Sequence, residues 1–432
     1  MKESRRTIAL DVPMISRLEG EGALTLRASQ GRLQAVHLKI YEPPRFFEKF
    51  LEGKHFSEQP HLAARICGIC PIAYQLTGIR AIEQAMGVTP SPWVQDMRRV
   101  VQCGEWLQSH SLHIHFLAAP DYLGFDHVLA LADKFPIEVG RALRLQGLGN
   151  ALLSLFGARS VHPIGLTVGG FFQAPSPATV AALQPKLEEG LADAEALVRW
   201  CASLPLPEDH QPFVSVALQH GDDYPMNEGQ VVSSQGLQIP ASDYRQHFIE
   251  HQEPHSTALY SLHQGQPYLV GPLARMNLNH ARLPAPIQHL AQTLGLRFPS
   301  DNLYHSLLAR ALECYLAVWE AHRLLDHYQP QTPRCTITPR AGWGAHCTEA
   351  PRGLIYHHYR LDEEGHLTRV CIIPPTSQNQ ARIEADLQDA LPRFGLEHDD
   401  AELQRFCERL IRNYDPCISC SVHFLRLKVE RH

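Results

Sequence analysis

Two Cys-x-x-Cys pairs constrain this chain more than any other feature. Cys67 and Cys70 stand in RICGIC, Cys417 and Cys420 in DPCISC, and 346 residues lie between Cys70 and Cys417. A two-residue spacer turns both sulfurs of a pair to one side, so each pair can chelate a soft metal. Four thiolates together make the donor set of a structural zinc or an iron–sulfur centre. A zinc ribbon separates its pairs by about 15–20 residues. Here most of a large fold must form before the halves meet, which disfavours a self-contained zinc module. The second pair is followed by His423 and then by nine residues, FLRLKVERH. Chain ends fray, so ligands placed there need a partner elsewhere in the chain to hold them.

The other cysteines set the redox context. There are eleven in all, and Cys103, Cys201, Cys314, Cys335, Cys347, Cys371 and Cys407 stand singly in mostly apolar surroundings, as small buried hydrophobes do. An odd, scattered set in a large chain argues against structural disulfides. The opening MKESRRTIALDVPMISRLEGEG lacks the apolar core and cleavage site of a secretory leader, and a cytoplasmic location is expected. A net charge of −6 without a dense basic run argues against nucleic-acid binding. No apolar run reaches the length of a membrane span, about 18 residues or more. With 432 residues, the chain can bury a large core and carry two or three subdomains.

Patterning predicts an α+β fold dominated by helix, with a central long-helix bundle and small β regions near both ends. ALTLRASQGRLQAVHLKI, residues 23–40, alternates apolar and polar residues around Gln30-Gly31 and reads as a hairpin. AYQLTGIRAIEQAMG sets Leu76, Ile79, Ile82 and Met86 on one helical face, with Gly87 placed to end it. Ser91-Pro92 and Ser176-Pro177 have the cap-then-proline form of helix starts, and Pro185 should divide the second of these helices. LYHSLLARALECYLAVWEAHRLLDHY, residues 303–328, has no Pro or Gly and a wide apolar stripe, as a central buried helix would. A second hairpin is expected with its turn at Glu363-Glu364-Gly365, and residues 378–413 return to helix. The organisation this implies is an N-terminal β-hairpin region at 1–58, a helical block at 59–206 and a strand-and-loop insert at 207–301. Residues 302–423 then hold the central helix, the second hairpin and the C-terminal pair, with 424–432 as a cleavable extension, all in one integrated catalytic domain.

RICGICPIAYQ and DPCISCSVH resemble the paired signatures of the large subunit of nickel–iron hydrogenases. SRLEGEG (16–22), RFFEKFLEGK (45–54), SVHPIGLTVGGF (160–171), EAPRG (349–353) and CIIPPTSQN (371–379) resemble further elements of that family, in family order. The wording CGICPIAYQ and the chain length are closest to the NAD(P)-linked sulfhydrogenase branch. The resemblance implies reversible heterolytic cleavage of H2. Cys67, Cys70, Cys417 and Cys420 would hold nickel, with Cys70 and Cys420 bridging to an iron that carries carbonyl and cyanide. Cys417 would act as the proton-accepting thiolate and Glu19 as the relay against it. Arg352 would lie over the metals with Asp415 orienting it, and Thr376 and Pro351 would line the diatomic ligands. Glu48, the Cys371 carbonyl and His423 would bind magnesium and tie down the tail.

The same resemblance implies partners and processing. The chain offers no further cysteine cluster, so electrons would pass to an iron–sulfur small subunit, and through flavin-bearing diaphorase subunits to NAD(P). Nickel-insertion factors would load the site, and a maturation protease would remove the segment after His423. This chain departs from the family pattern in places. Tyr74 stands where many members have His, Ser109 where respiratory members have Asp, and Pro375 where Ser is common. His110, His113 and His115 could form a metal site of their own, but packing roles are favoured. The competing readings are a non-catalytic hydrogenase-like scaffold of a respiratory complex, which would lack the four cysteines, a structural zinc protein, and a thiol–disulfide oxidoreductase, whose βαβ context is missing.

Overall fold

The most apolar long stretch becomes the middle of the molecule. The computed structural model describes residues 6–125 and 128–422. In it, Ser306–Leu325 forms a helix buried along most of its length. Pro92–Leu112 packs along it, Pro136–Gly157 packs on Pro92–Leu112, and Gln184–Ser203 closes the group against Ser306–Leu325. Local chemistry starts these helices where the sequence indicates. Ser91 accepts the amide of Val94 at 3.3 Å ahead of Pro92, supplying a bond to an otherwise orphaned donor. Pro185 sits in the first turn of Gln184–Ser203 and separates it from the short helix Pro177–Ala181. At one crossing the backbones touch. A Cβ on Gly104 would lie 2.9 Å from the Leu152 Cβ and 3.0 Å from the Gly149 carbonyl oxygen, so only a bare backbone fits.

Pro71–Met86 begins directly after Cys70 and ends on Gly87 at φ 66°. It lies across an antiparallel sheet of Gly342–Ala350, Gly353–Leu361 and Leu367–Ile373, paired in that order. A Cβ on Gly344 would fall 2.1 Å from the Ala81 carbonyl oxygen, so glycine and alanine let strand and helix approach. A second sheet, Ile8–Val12, Gly22–Ser29 and Arg32–Ile40, packs on the helix Pro375–Phe394. Leu24, Leu26 and Leu38 share one core there with Ile383 and Leu387. The two hairpins and their turns match the sequence pattern.

The differences have physical reasons. Ile8–Val12 and Gly342–Ala350 add a third strand to each hairpin. The latter carries Gly342 and Gly344, which read as loop until the helix they contact is known. The 207–301 stretch holds short strands from Val216–Gln219 to Leu259–His263, but it ends in two helices, Pro272–Asn279 and Ala285–Thr293. Proline in the first turn of each gives them the composition of a loop. Pro92–Leu112 widens into a π-helix at His113–Ala118, which 3.6-residue spacing does not foretell. No helix among the described residues is long and apolar enough to cross a membrane.

Candidate metal centre

The four cysteines converge. Cys70 is the N-cap of Pro71–Met86, and Cys417 is the N-cap of the single turn Ile418–Ser421, so each pair sits at a helix start. The sulfurs of Cys67 and Cys417 are 3.5 Å apart, those of Cys70 and Cys420 3.5 Å, and those of Cys417 and Cys420 2.9 Å. All four lie within 4.8 Å of one another and are buried. Hydrogen bonding with the neighbouring sulfurs of Cys417, Cys420 and Cys70 draws Cys67 well below the ordinary thiol range. Burial and the neighbouring sulfurs push Cys417 well above it. So enclosed a set carries little negative charge on its own, and four thiolates there require a bound cation.

Glu19 reaches this cluster through the backbone. It forms a parallel bridge with Cys417, and its carbonyl accepts the amide of Ile418 at 3.0 Å. That approach needs Gly20, at φ +82°, where a Cβ would stand 2.6 Å from the Ile418 Cβ. The Glu19 carboxylate then takes the Cys417 thiol at 3.1 Å and the Ser419 amide at 3.0 Å on Oε2, and the Ser419 hydroxyl on Oε1. The terminal segment is tied down by Arg45. Its amide donates to the Val422 carbonyl at 2.6 Å, and its guanidinium donates to the carbonyls of Ser419 and Ile66. Ile418 and Val422 also pack with Ile40 and Ala258.

Arg352 follows the strand Gly342–Ala350. Its Nε donates to the Asp415 carbonyl at 2.8 Å and its Nη2 to the Asp415 carboxylate at 3.0 Å. Both side chains are 2% exposed. The enclosed Arg352 Nη1 makes no hydrogen bond among the described residues. Burial opposes the guanidinium charge, but Asp415 and the sulfurs of Cys417, Cys70 and Cys67 hold it well above the usual arginine range. Burial likewise opposes the Asp415 charge, and Arg352, His113 and Arg310 keep that carboxyl below its ordinary value. The loop rests on a buried arginine. Arg275 forks onto Glu313 at 2.7 Å twice, pairs with Glu349 at 3.0 Å, and donates to the carbonyls of Ala350 and Pro351.

The remaining expected residues take these places. Thr376 Oγ1 accepts the Cys417 amide at 2.9 Å. Pro351 contributes its carbonyl to Arg275, beside Arg352. Glu48, on the turn Phe47–Leu51, accepts the Ile372 amide at 2.7 Å, next to Cys371 on Leu367–Ile373. His423 lies outside the described residues, as does the segment after it. The Tyr74 phenol is fully buried beside the cluster. Burial first, then the charges of Cys420, Cys70 and Cys417, hold its proton on. His110 meets Glu313 at 2.9 Å, His113 the Arg412 carbonyl at 2.8 Å, and His115 the Ser111 carbonyl at 2.9 Å. These three partners differ, so the histidines do not form a second metal site.

Sequence reasoning missed Arg45, Ser419, Arg275 and Glu105. Glu105 accepts the amides of Ile72 at 2.6 Å and Ala73 at 3.1 Å, closing the N-terminus of the helix that Cys70 opens. Each is a lone polar residue in an apolar or loop segment, and only the third dimension shows its partner. The first cysteine loop has a further support from SVHPIGLTVGGF, where His162 Nδ1 bonds the Ala64 carbonyl at 2.6 Å.

The donor set fits a nickel–iron centre. It offers four buried soft sulfurs, an arginine nitrogen at the cluster with no hydrogen bond among the described residues, and a carboxylate on the Cys417 sulfur. Residues 45–135 and 233–423 match the nickel-dependent hydrogenase family. The chain is 32% identical to sulfhydrogenase 1 subunit alpha of Pyrococcus furiosus over 97% of this chain and 99% of that protein. It is 29% identical to sulfhydrogenase 2 subunit alpha of the same organism over 97% of this chain and 100% of that one. The crystal structure of an NAD+-reducing [NiFe]-hydrogenase in the H2-reduced state superposes with a TM-score of 0.85 at 25% identity, covering 98% of this chain and 100% of that one.

Proposed function

The chain belongs to the nickel-dependent hydrogenase family as a catalytic large subunit acting on H2, and on that premise we propose which of its residues do the work. Cys67, Cys70, Cys417 and Cys420 would hold the nickel–iron centre, with Cys70 and Cys420 also serving as ligands to its iron, which would carry carbonyl and cyanide. The observation that carries this is the convergence of four buried sulfurs within 4.8 Å, with Glu19 at 3.1 Å from one of them. When bound, the centre supplies a soft Lewis-acidic metal pair that polarises H2 and takes up its electrons.

The protein residues manage the proton and the geometry. Cys417 Sγ receives the proton and passes it to Glu19 Oε2, the oxygen it already faces. The bonds from Ser419 fix that carboxylate, so the transfer needs no rearrangement. Arg352, held by two bonds to Asp415, keeps Nη1 directed as a fixed cationic donor, which is an electrostatic contribution that costs no reorganisation at the moment of reaction. Thr376 and Pro351 would line the diatomic ligands of the bound centre. Glu48, the Cys371 carbonyl and His423 would be the ligands of a magnesium ion.

The large subunit works with partner subunits. We assign these as an iron–sulfur small subunit and flavin-bearing diaphorase subunits that reduce NAD(P), in the cytoplasm. Nickel-insertion factors load the site, and a maturation protease cuts after His423. Metal analysis and infrared spectroscopy of the purified complex test the proposal. Nickel and iron are expected together with carbonyl and cyanide bands, and Cys417→Ser should abolish nickel retention. Stoichiometric zinc without those bands, in matured protein, would overturn it.

A further inference from the structure

Away from the cysteines, His37, His255 and Glu384 bring their donor atoms within 4.8 Å of one another. They come from three separate pieces of chain. His37 is on the strand Arg32–Ile40, His255 is in the loop after Phe248–Gln252, and Glu384 is on the helix Pro375–Phe394. Glu384 Oε1 lies 2.9 Å from His255 Nε2 and 3.8 Å from His37 Nδ1. The side chains are 35%, 17% and 12% exposed for His37, His255 and Glu384, so the group is enclosed by protein with one side open to water.

An ion pair accounts poorly for this arrangement. The two imidazole rings lie 4.1 Å apart, centroid to centroid, at 35°, and protonating both would set two cations in contact over one carboxylate. Left neutral, His37 keeps an enclosed Nδ1 that makes no hydrogen bond among the described residues. A divalent cation between the three removes both difficulties. It draws on neutral imidazoles, and its charge is partly balanced by Glu384. The carboxylate is already oriented, because Oε1 accepts the Leu38 amide at 2.8 Å and the Tyr260 hydroxyl at 2.9 Å. Tyr260 in turn accepts from Gln380 at 3.1 Å. Supporting bonds of this kind fix the ligands of metal sites. Donors on one tetrahedral zinc stand about 3.3 Å apart, between the two separations found here.

We propose that His37, His255 and Glu384 form a second metal site, a zinc site of two histidines and one glutamate whose open position faces water. It pins the N-terminal sheet and the 253–258 loop to the helix that begins beside Thr376. It is independent of the nickel–iron centre.

The test uses the nickel-loaded complex, in which the thiols are occupied, equilibrated with zinc sulfate alone and then dialysed. Zinc at one equivalent above background is expected, with an X-ray absorption spectrum of nitrogen and oxygen neighbours that includes imidazole. His37→Gln and His255→Ala should each remove that equivalent while nickel content and H2 uptake stay at the unmutated level. Tyr260→Phe should weaken zinc binding about 10-fold to 100-fold. The proposal is overturned by no bound zinc, by sulfur neighbours in the spectrum, or by the same zinc content in the folded His37→Gln protein as in the unmutated one.

Discussion

Replacing Arg352 by lysine separates the charge of this residue from its shape. Asp415 and Arg352 are both 2% exposed, and removing one member of such a buried pair costs about 3–5 kcal/mol. Lysine avoids that cost because a cation still faces Asp415. It cannot reproduce the fork. Nε and Nη2 hold Asp415 at 2.8 and 3.0 Å while Nη1 remains unpaired among the described residues. A single ammonium must choose between Asp415 and the open face, and Asp415 has the stronger claim. What disappears is one preorganised donor, for which losses of about 10²–10³ in turnover, or about 2.7–4 kcal/mol, are typical. The assay is H2 uptake with an artificial dye, expressed per nickel, beside metal analysis. Arg352→Lys should keep its nickel and lose about 10²–10³ of its rate. Arg352→Met, which strips the charge, should also lose yield of folded, nickel-bearing protein. If Arg352→Lys turns over within about tenfold of the unmutated enzyme, a point charge suffices and the argument from the fork fails.

Glu19→Gln keeps the size and can still accept the Ser419 amide, but it offers no basic oxygen to the Cys417 thiol. H2 uptake should fall about 10²–10⁴ with nickel retained, and near-normal uptake would take Glu19 out of the relay. Gly104→Ala inserts a methyl group 2.9 Å from Leu152 Cβ and should cost about 1–3 kcal/mol. An unchanged thermal midpoint would show that the helix crossing has slack. Burial lowers His115 from 6.5 to about 4, so it folds neutral. The stability it leaves intact above the unfolded value is lost as pH falls through the window from 6.5 toward 4, about 2 kcal/mol by about pH 5. His115→Gln should shrink the fall in thermal midpoint between about pH 7.5 and pH 5, and an equal fall in both proteins would refute this account.

The short-range features were legible because each has a local cause. Ser91-Pro92, Pro185, Gly87 and the turn at Gln30-Gly31 fix φ or supply a cap within a few residues. The convergence of the cysteines was legible in another way, from two pairs with family-like flanks, since nothing local in RICGIC names DPCISC as its partner. What stayed hidden is long-range and aperiodic. Arg45 braces Ser419 and Val422 from the far end of the chain. Glu105 faces inward from a helix to cap another, and it reads as an ordinary helix glutamate until the Ile72 and Ala73 amides are seen beside it. The His110–His113 spacing suggested a shared face, but His110 meets Glu313 while His113 turns to the Arg412 carbonyl.

The buried arginine beneath the EAPRG loop shows what holds Arg352 in place. Ala350 and Pro351 present carbonyls to a dry interior, where an unpaired acceptor is costly. Arg275 supplies both donors and stacks 4.4 Å over the Trp106 ring. Its charge then needs answering in the same space. Burial alone would keep Glu313 protonated, but the Arg275 fork and His110 bring it down to about 2. Glu349, with burial stronger than its help from Arg275 and the Leu218 amide, stands at about 7. Near neutral pH one full and one partial carboxylate therefore face one guanidinium. Apolar side chains of the same volume could fill the space, yet they would leave the two carbonyls unpaired and the loop free to shift. The loop that aims Arg352 is thus set by directional hydrogen bonds from beneath, which packing alone would not supply.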